Sequence, residues 1–145
     1  LVAHAGEEGP PAYVWSALDV LQVERVDHGV QSTKDPALMK RLAADRIPLT
    51  VCPLSNLKLC VFPDLRQHNL GALLDAGLVA TVNSDDPAYF GGYLNTNFLE
   101  TFAATGLTAR HAWQLARNSF EGSFASAEAK RVWLDKVDAH FASFA

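Results

Sequence analysis

The sequence predicts an α/β fold of the (β/α)₈ barrel kind, entered part-way round. Three observations predict it. Short apolar runs alternate with helical segments at the spacing of a parallel sheet with right-handed crossovers. Polar residues with useful chemistry collect at the carboxyl end of each run: His4, His28, Cys52 and Asp85, at intervals of 24, 24 and 33 residues. The chain also opens directly on a strand-like run, Leu1-Val2-Ala3-His4-Ala5, with no initiator Met and no basic leader. Residues 1–145 therefore read as a single incomplete domain of a longer protein. An open doubly wound sheet binds ligands only at its switch point, whereas barrel strand ends all converge on one site. Four consecutive loaded ends favour the barrel.

The runs Leu1–Ala5, Val23–Val26, Ile47–Cys52 and Val79–Asn83 are rich in Val, Leu and Ile and too short for helices, as buried parallel strands are. Between the first two, Pro10–Leu21 reads as a helix, with prolines suited to its first turn and Val14, Trp15, Leu18 and Leu21 on one face. Asp35-Pro36 supplies an N-cap and N1 proline for the next helix, whose stripe is Leu38, Met39 and Leu42. Leu65–Asp75 reads as one helix closed by Gly77. The tail predicts three more: Tyr93–Ala104, Thr108–Phe120 with Thr108 as N-cap, and Ser126–Phe144 with a stripe of Val132, Trp133, Val137, Phe141 and Phe144.

Composition narrows the function. Of 145 residues, 49% are hydrophobic and 19% charged, which excludes disorder as the main state. A net charge of -4 and no basic cluster larger than Lys40-Arg41 argue against a nucleic-acid polymer as partner. No apolar run approaches the ~20 residues of a membrane span. Two cysteines are too few for a disulfide scaffold, so a reducing cytoplasmic setting is expected.

A lone histidine at a strand end is most often a satisfied packing residue. His4 is not alone, because His28 and the Asp85-Asp86 pair occupy equivalent positions, and imidazole with carboxylate is a recurrent ligand set for a catalytic divalent metal. Gly6 and Gly9 flank Glu7 and suggest a backbone that aims one side chain inward. An N-cap before Pro87 would account for one aspartate and leave the other unexplained. Cys52 reads as a buried strand thiol, and His68, His111 and His140 as surface or packing residues on helices.

Taken together, His4-Ala5-Gly6-Glu7, Arg25-Val26-Asp27-His28-Gly29, Cys52-Pro53-Leu54-Ser55-Asn56 and Ser84-Asp85-Asp86-Pro87 resemble the adenosine/adenine deaminase family in order and spacing. Val26-Asp27-His28-Gly29, the Pro53–Leu59 run and Asn83–Tyr93 look nearest to its adenine deaminase branch; adenosine deaminases proper usually carry Gly where Asp27 stands. The resemblance implies strands five to eight of a (β/α)₈ barrel, with the C-terminal helices, and one zinc ion. It implies His4 and Asp85 as zinc ligands, with Glu7 as proton donor to the purine ring. His28 would orient the attacking water and help deprotonate it, and Asp86 and Gly6 would contact the purine. The reaction implied is hydrolysis of adenine to hypoxanthine and ammonia, in purine salvage. Adenosine as substrate is the alternative, as is a silent half-barrel with a binding or assembly role; another amidohydrolase-like barrel is the more remote reading. The family's other two zinc ligands come from a His-x-His that these residues lack, so the missing N-terminal half is an expected partner and residues 1–145 by themselves are expected to be inactive. A homo-oligomer is left open.

Overall fold

The computed structural model describes residues 1–144. Four parallel strands form one sheet in the order β1 (Val2–Ala5), β2 (Arg25–His28), β3 (Leu49–Val51), β4 (Ala80–Val82). Each strand pairs only with its sequence neighbours, so the sheet contains no switch point, as consecutive strands of a barrel require. The registers Val2 to Arg25 and Ala5 to His28 align the carboxyl ends and set His4 directly beside Asp27.

Helices return the chain between strands: α1 (Pro11–Asp19), α2 (Pro36–Ala44), α3 (Pro53–Lys58) and α4 (Leu70–Asp75). Asp35 caps α2 as expected. One of its oxygens accepts from the backbone N–H groups of Ala37 and Leu38, and the other accepts the Trp15 indole N–H at 2.8 Å, tying α1 to α2. Val14, Val26, Leu38, Leu42, Leu49, Val51, Leu70 and Leu73 are fully buried between sheet and helices. Burying one such side chain contributes about 1.5–3 kcal/mol, and this layer holds the sheet in place.

The structure corrects two expectations and adds one short helix. The second strand begins at Arg25 and runs to His28, two residues later than Val23–Val26, because the Val23 N–H bonds back to Ala17 and closes α1. Leu65–Asp75 is not one helix. A 3-10 turn, Leu65–Gln67, capped by Asp64, is separated from α4 by His68 in an extended conformation. The residues after Cys52 form the short helix α3, started by Pro53 at its first turn.

The tail holds α5 (Pro87–Phe90), α6 (Leu94–Thr105), α7 (Ala109–Glu121) and α8 (Ala127–Ala142). Thr108 is the N-cap of α7, as the sequence predicts, and Ser126 caps α8. Asn118 of α7 is buried and donates to the Ala80 carbonyl at 2.8 Å, anchoring the helical tail on β4. Trp113 and Arg117 of α7 both bond Asp138 of α8, and Phe120 meets Trp133 at 5.3 Å. Of the expected stripe, Val132 stays exposed, as does Phe144, which lies beyond the end of α8. Among the described residues no helix is long and apolar enough to cross a membrane, and both cysteines are free.

Candidate active site

The strand carboxyl ends surround an open cleft of about 450 Å³, lined by His4, Asp27, His28, Cys52 and Asp85 among others. At the end of β1, Gly6 adopts φ +65°, and a Cβ there would lie 2.5 Å from a Val14 methyl. Only glycine fits this close approach to α1, and the turn it makes carries Glu7 back over the sheet.

Glu7 Oε1 lies 3.2 Å from His28 Nδ1 and accepts a 2.8 Å hydrogen bond from the side-chain amide of Asn56. Burial holds the Glu7 carboxyl above the usual carboxylate range, and the charge of Asp85 adds to this; the Asn56 donation works against both.

His28 ends β2 with φ +67° and is buried; Gly29 follows at φ +70°. Its Nε2 stands 3.9 Å from Asp85 Oδ2, and its Nδ1 makes no hydrogen bond. Burial lowers the imidazole pKa against the pull of Asp85, so the ring is neutral near pH 7. Asp85 is itself in the left-handed region at φ +58°. Its Oδ1 takes the N–H of Asp86 at 2.9 Å, which leaves Oδ2 for the cleft.

His4 projects into solvent, its ring 5.1 Å from that of His28 and its Nδ1 3.6 Å from Asp27 Oδ2. Thr50 donates to the other Asp27 oxygen at 2.7 Å and Arg25 donates to it at 3.3 Å, so the carboxylate beside His4 is held from two strands. Such a carboxylate fixes the ring of a ligating histidine and its tautomer.

The cleft thus unites His4, His28 and Asp85, with Glu7 joined to it through His28. Asp86 plays the capping part: its Oδ1 accepts from Ala88 and Tyr89 at the start of α5, and its side chain is exposed beside the cleft. Cys52 lies in the wall, where burial, with Asp85 and Glu7 nearby, pushes its thiol up to about 12. It stays protonated and is no nucleophile. Asp27, Asn56 and His68 were not singled out from the sequence. His68, expected as a surface or packing residue on a helix away from the strand ends, is buried, stands in an extended break between helical segments and bonds Asn56.

Ligand atoms of His28, Cys52 and Asp85 lie within 4.8 Å of one another. Among the described residues, no Lys or Arg forms an ion pair with Glu7 or Asp85. Imidazoles and carboxyl groups without a counter-cation form a donor set that suits a divalent ion.

The sequence model of the adenosine deaminase family matches residues 1–140. The chain belongs to the adenosine deaminase family. It is 71% identical over 144 residues to an adenine deaminase of Albidiferax ferrireducens, covering 99% of this chain and 42% of that protein. The crystal structure of an adenine deaminase from Arthrobacter aurescens superposes with a TM-score of 0.91 at 48% identity, over 95% of this chain and 42% of the other. A zinc-bound amidohydrolase from Burkholderia ambifaria superposes at 0.83 with 29% identity, over 98% of this chain and 42% of the other. The chain spans about two-fifths of the length of the relatives it matches. The four strands, in barrel order, are part of a (β/α)₈ barrel, as the strand ends predict.

Proposed function

We propose that this chain forms the C-terminal half of a metal-dependent deaminase that hydrolyses adenine to hypoxanthine and ammonia. The observation that carries the reading is a buried, neutral His28 flanked by two carboxyls, Glu7 at 3.2 Å and Asp85 at 3.9 Å. The names of the most similar relatives supply the substrate class, and their greater length leaves room for the rest of a barrel and a metal shell.

In this reading His4 and Asp85 hold zinc, with two histidines from outside these residues. When bound, the ion supplies the Lewis acidity that makes water nucleophilic near neutral pH. The chain's own groups do the proton work. Neutral His28 can take a proton from the attacking water as it adds to the amino-bearing carbon. Glu7, whose acid form is favoured by burial, gives its proton to the adjacent ring nitrogen, removing the negative charge that develops there. Acid–base help of this kind contributes ~10²–10⁴-fold. The free Asp86 oxygen and the backbone at Gly6 contact the purine. His28 then passes its proton to the amino group, the C–N bond breaks to release ammonia, and the hydroxyl proton returns to Glu7 as the carbonyl forms. Two free cysteines fit a reducing, cytoplasmic setting.

The test is a substrate panel on the complete barrel, following adenine and adenosine by their separate absorbance changes. The reading expects turnover of adenine well above that of adenosine; a preference for adenosine overturns the substrate, and turnover of neither overturns the reaction.

A further inference from the structure

A chain of hydrogen bonds leads from the helical layer to the carboxyl that the proposed chemistry uses. His68, in the break between the 3-10 turn and α4, is 5% exposed. Its Nδ1 accepts the backbone N–H of Leu70 at 3.1 Å, so in the neutral ring the proton sits on Nε2. Nε2 faces the Asn56 Oδ1 at 3.3 Å, and a donation there fixes which way the amide points. The NH₂ end of Asn56 is thereby turned toward Glu7 Oε1, which it reaches at 2.8 Å. Asn56 is fully buried in α3, and its own carbonyl takes the N–H groups of Val61 and Phe62, so its backbone is held as well.

We propose that His68 is a positioning residue for Glu7: through Asn56 it commits Oε1 to accept a hydrogen bond, which leaves Oε2 as the oxygen that carries the transferable proton. This rests on the reading of Glu7 as the acid. A free carboxyl could place its proton on either oxygen. One already receiving an N–H at Oε1 keeps that atom as the carbonyl oxygen and places its proton on Oε2, because a protonated Oε1 is the weaker acceptor for the amide. The amide cannot turn while His68 donates to its other end. Among the described residues Oε2 takes no hydrogen bond. The Phe62 ring lies 4.5 Å from that of His68, and burial lowers the imidazole pKa to about 4, so the donor tautomer persists through the neutral range.

The complete barrel, loaded with metal, supplies the test. The ¹⁵N shifts of His68 should report a neutral ring protonated on Nε2 from pH 6 to 8; protonation on Nδ1 overturns the proposal, and this measurement needs no variant. His68→Phe and Asn56→Leu should each lower kcat for adenine about tenfold, with KM and metal content within twofold of wild type. Placed in a Glu7→Gln background, neither should lower the residual turnover further, because both act through the carboxyl. Equal losses in both backgrounds, or no loss in either, overturn the proposal. Near-normal turnover of Glu7→Gln itself would instead overturn the assignment of the acid.

Discussion

The two ends of the sheet use the same backbone conformation for different purposes. At the amino end, Gln22 and Arg46 take φ +53° just after α1 and α2, and Gly77 takes +80° after α4. There the left-handed residue is the ordinary way to end a helix and turn into the next strand. At the carboxyl end the same region holds His28 at +67° and Asp85 at +58°. No helix ends at either, and both side chains point at one cleft. A left-handed non-glycine residue costs roughly 1–2 kcal/mol. At one end that strain makes turns that glycine could make better, while at the other it aims an imidazole and a carboxylate, which glycine cannot replace.

The sharpest break in that comparison is Asp85→Ala in the complete barrel. It should lose bound metal and turnover together, since removing an anionic ligand weakens the shell and alanine relieves none of the left-handed strain. Metal content measured by elemental analysis checks it. Asp86→Asn should act more mildly: metal retained, kcat lowered and adenine affinity weakened, because a contact to the ring changes while the α5 cap survives on the Asn carbonyl. Loss of metal in Asp86→Asn would mean that the two aspartates are assigned in reverse.

His68 gives a smaller, pH-dependent effect. Its pKa is ordinarily 6.5 and falls to about 4 in the folded chain, so the unfolded state binds a proton that the folded state refuses. Its contribution to stability is therefore intact above pH 6.5 and is lost as pH falls toward 4, by up to about 3 kcal/mol. Urea unfolding of wild type and His68→Phe at pH 7 and 5 should show a weaker acid dependence in the variant. At the amino end, Gln22→Gly should leave activity unchanged. Relief of left-handed strain, less the extra chain entropy of glycine, should stabilise by about 0.5 kcal/mol, read as a small rise in Tm.

What the sequence exposed and what it hid divide along the same lines. Strand ends were legible because apolar runs and the polar residues that follow them are local, so His4, Glu7, His28 and Asp85 could be named without coordinates. The caps at Asp35 and Thr108 were legible for the same reason. The Asn56–Glu7 bond joins residues 49 apart, and no local pattern announces it. His68 looked like one more residue of a helix over Leu65–Asp75, because its apolar neighbours keep helical spacing. Its ring instead accepts the Leu70 N–H and breaks that helix, which turns the imidazole inward. Asp27 was quoted within a motif but not picked out, since only the β1–β2 register sets it beside His4.

The central claim is that Glu7 supplies the proton while other residues hold the metal. Glu7→Gln in the complete barrel tests it most directly, with metal content and adenine turnover measured on the same sample. The account predicts full metal occupancy with turnover reduced by ~10² or more, since glutamine keeps the shape but has no acid proton to give. Near-normal turnover with metal retained would contradict it.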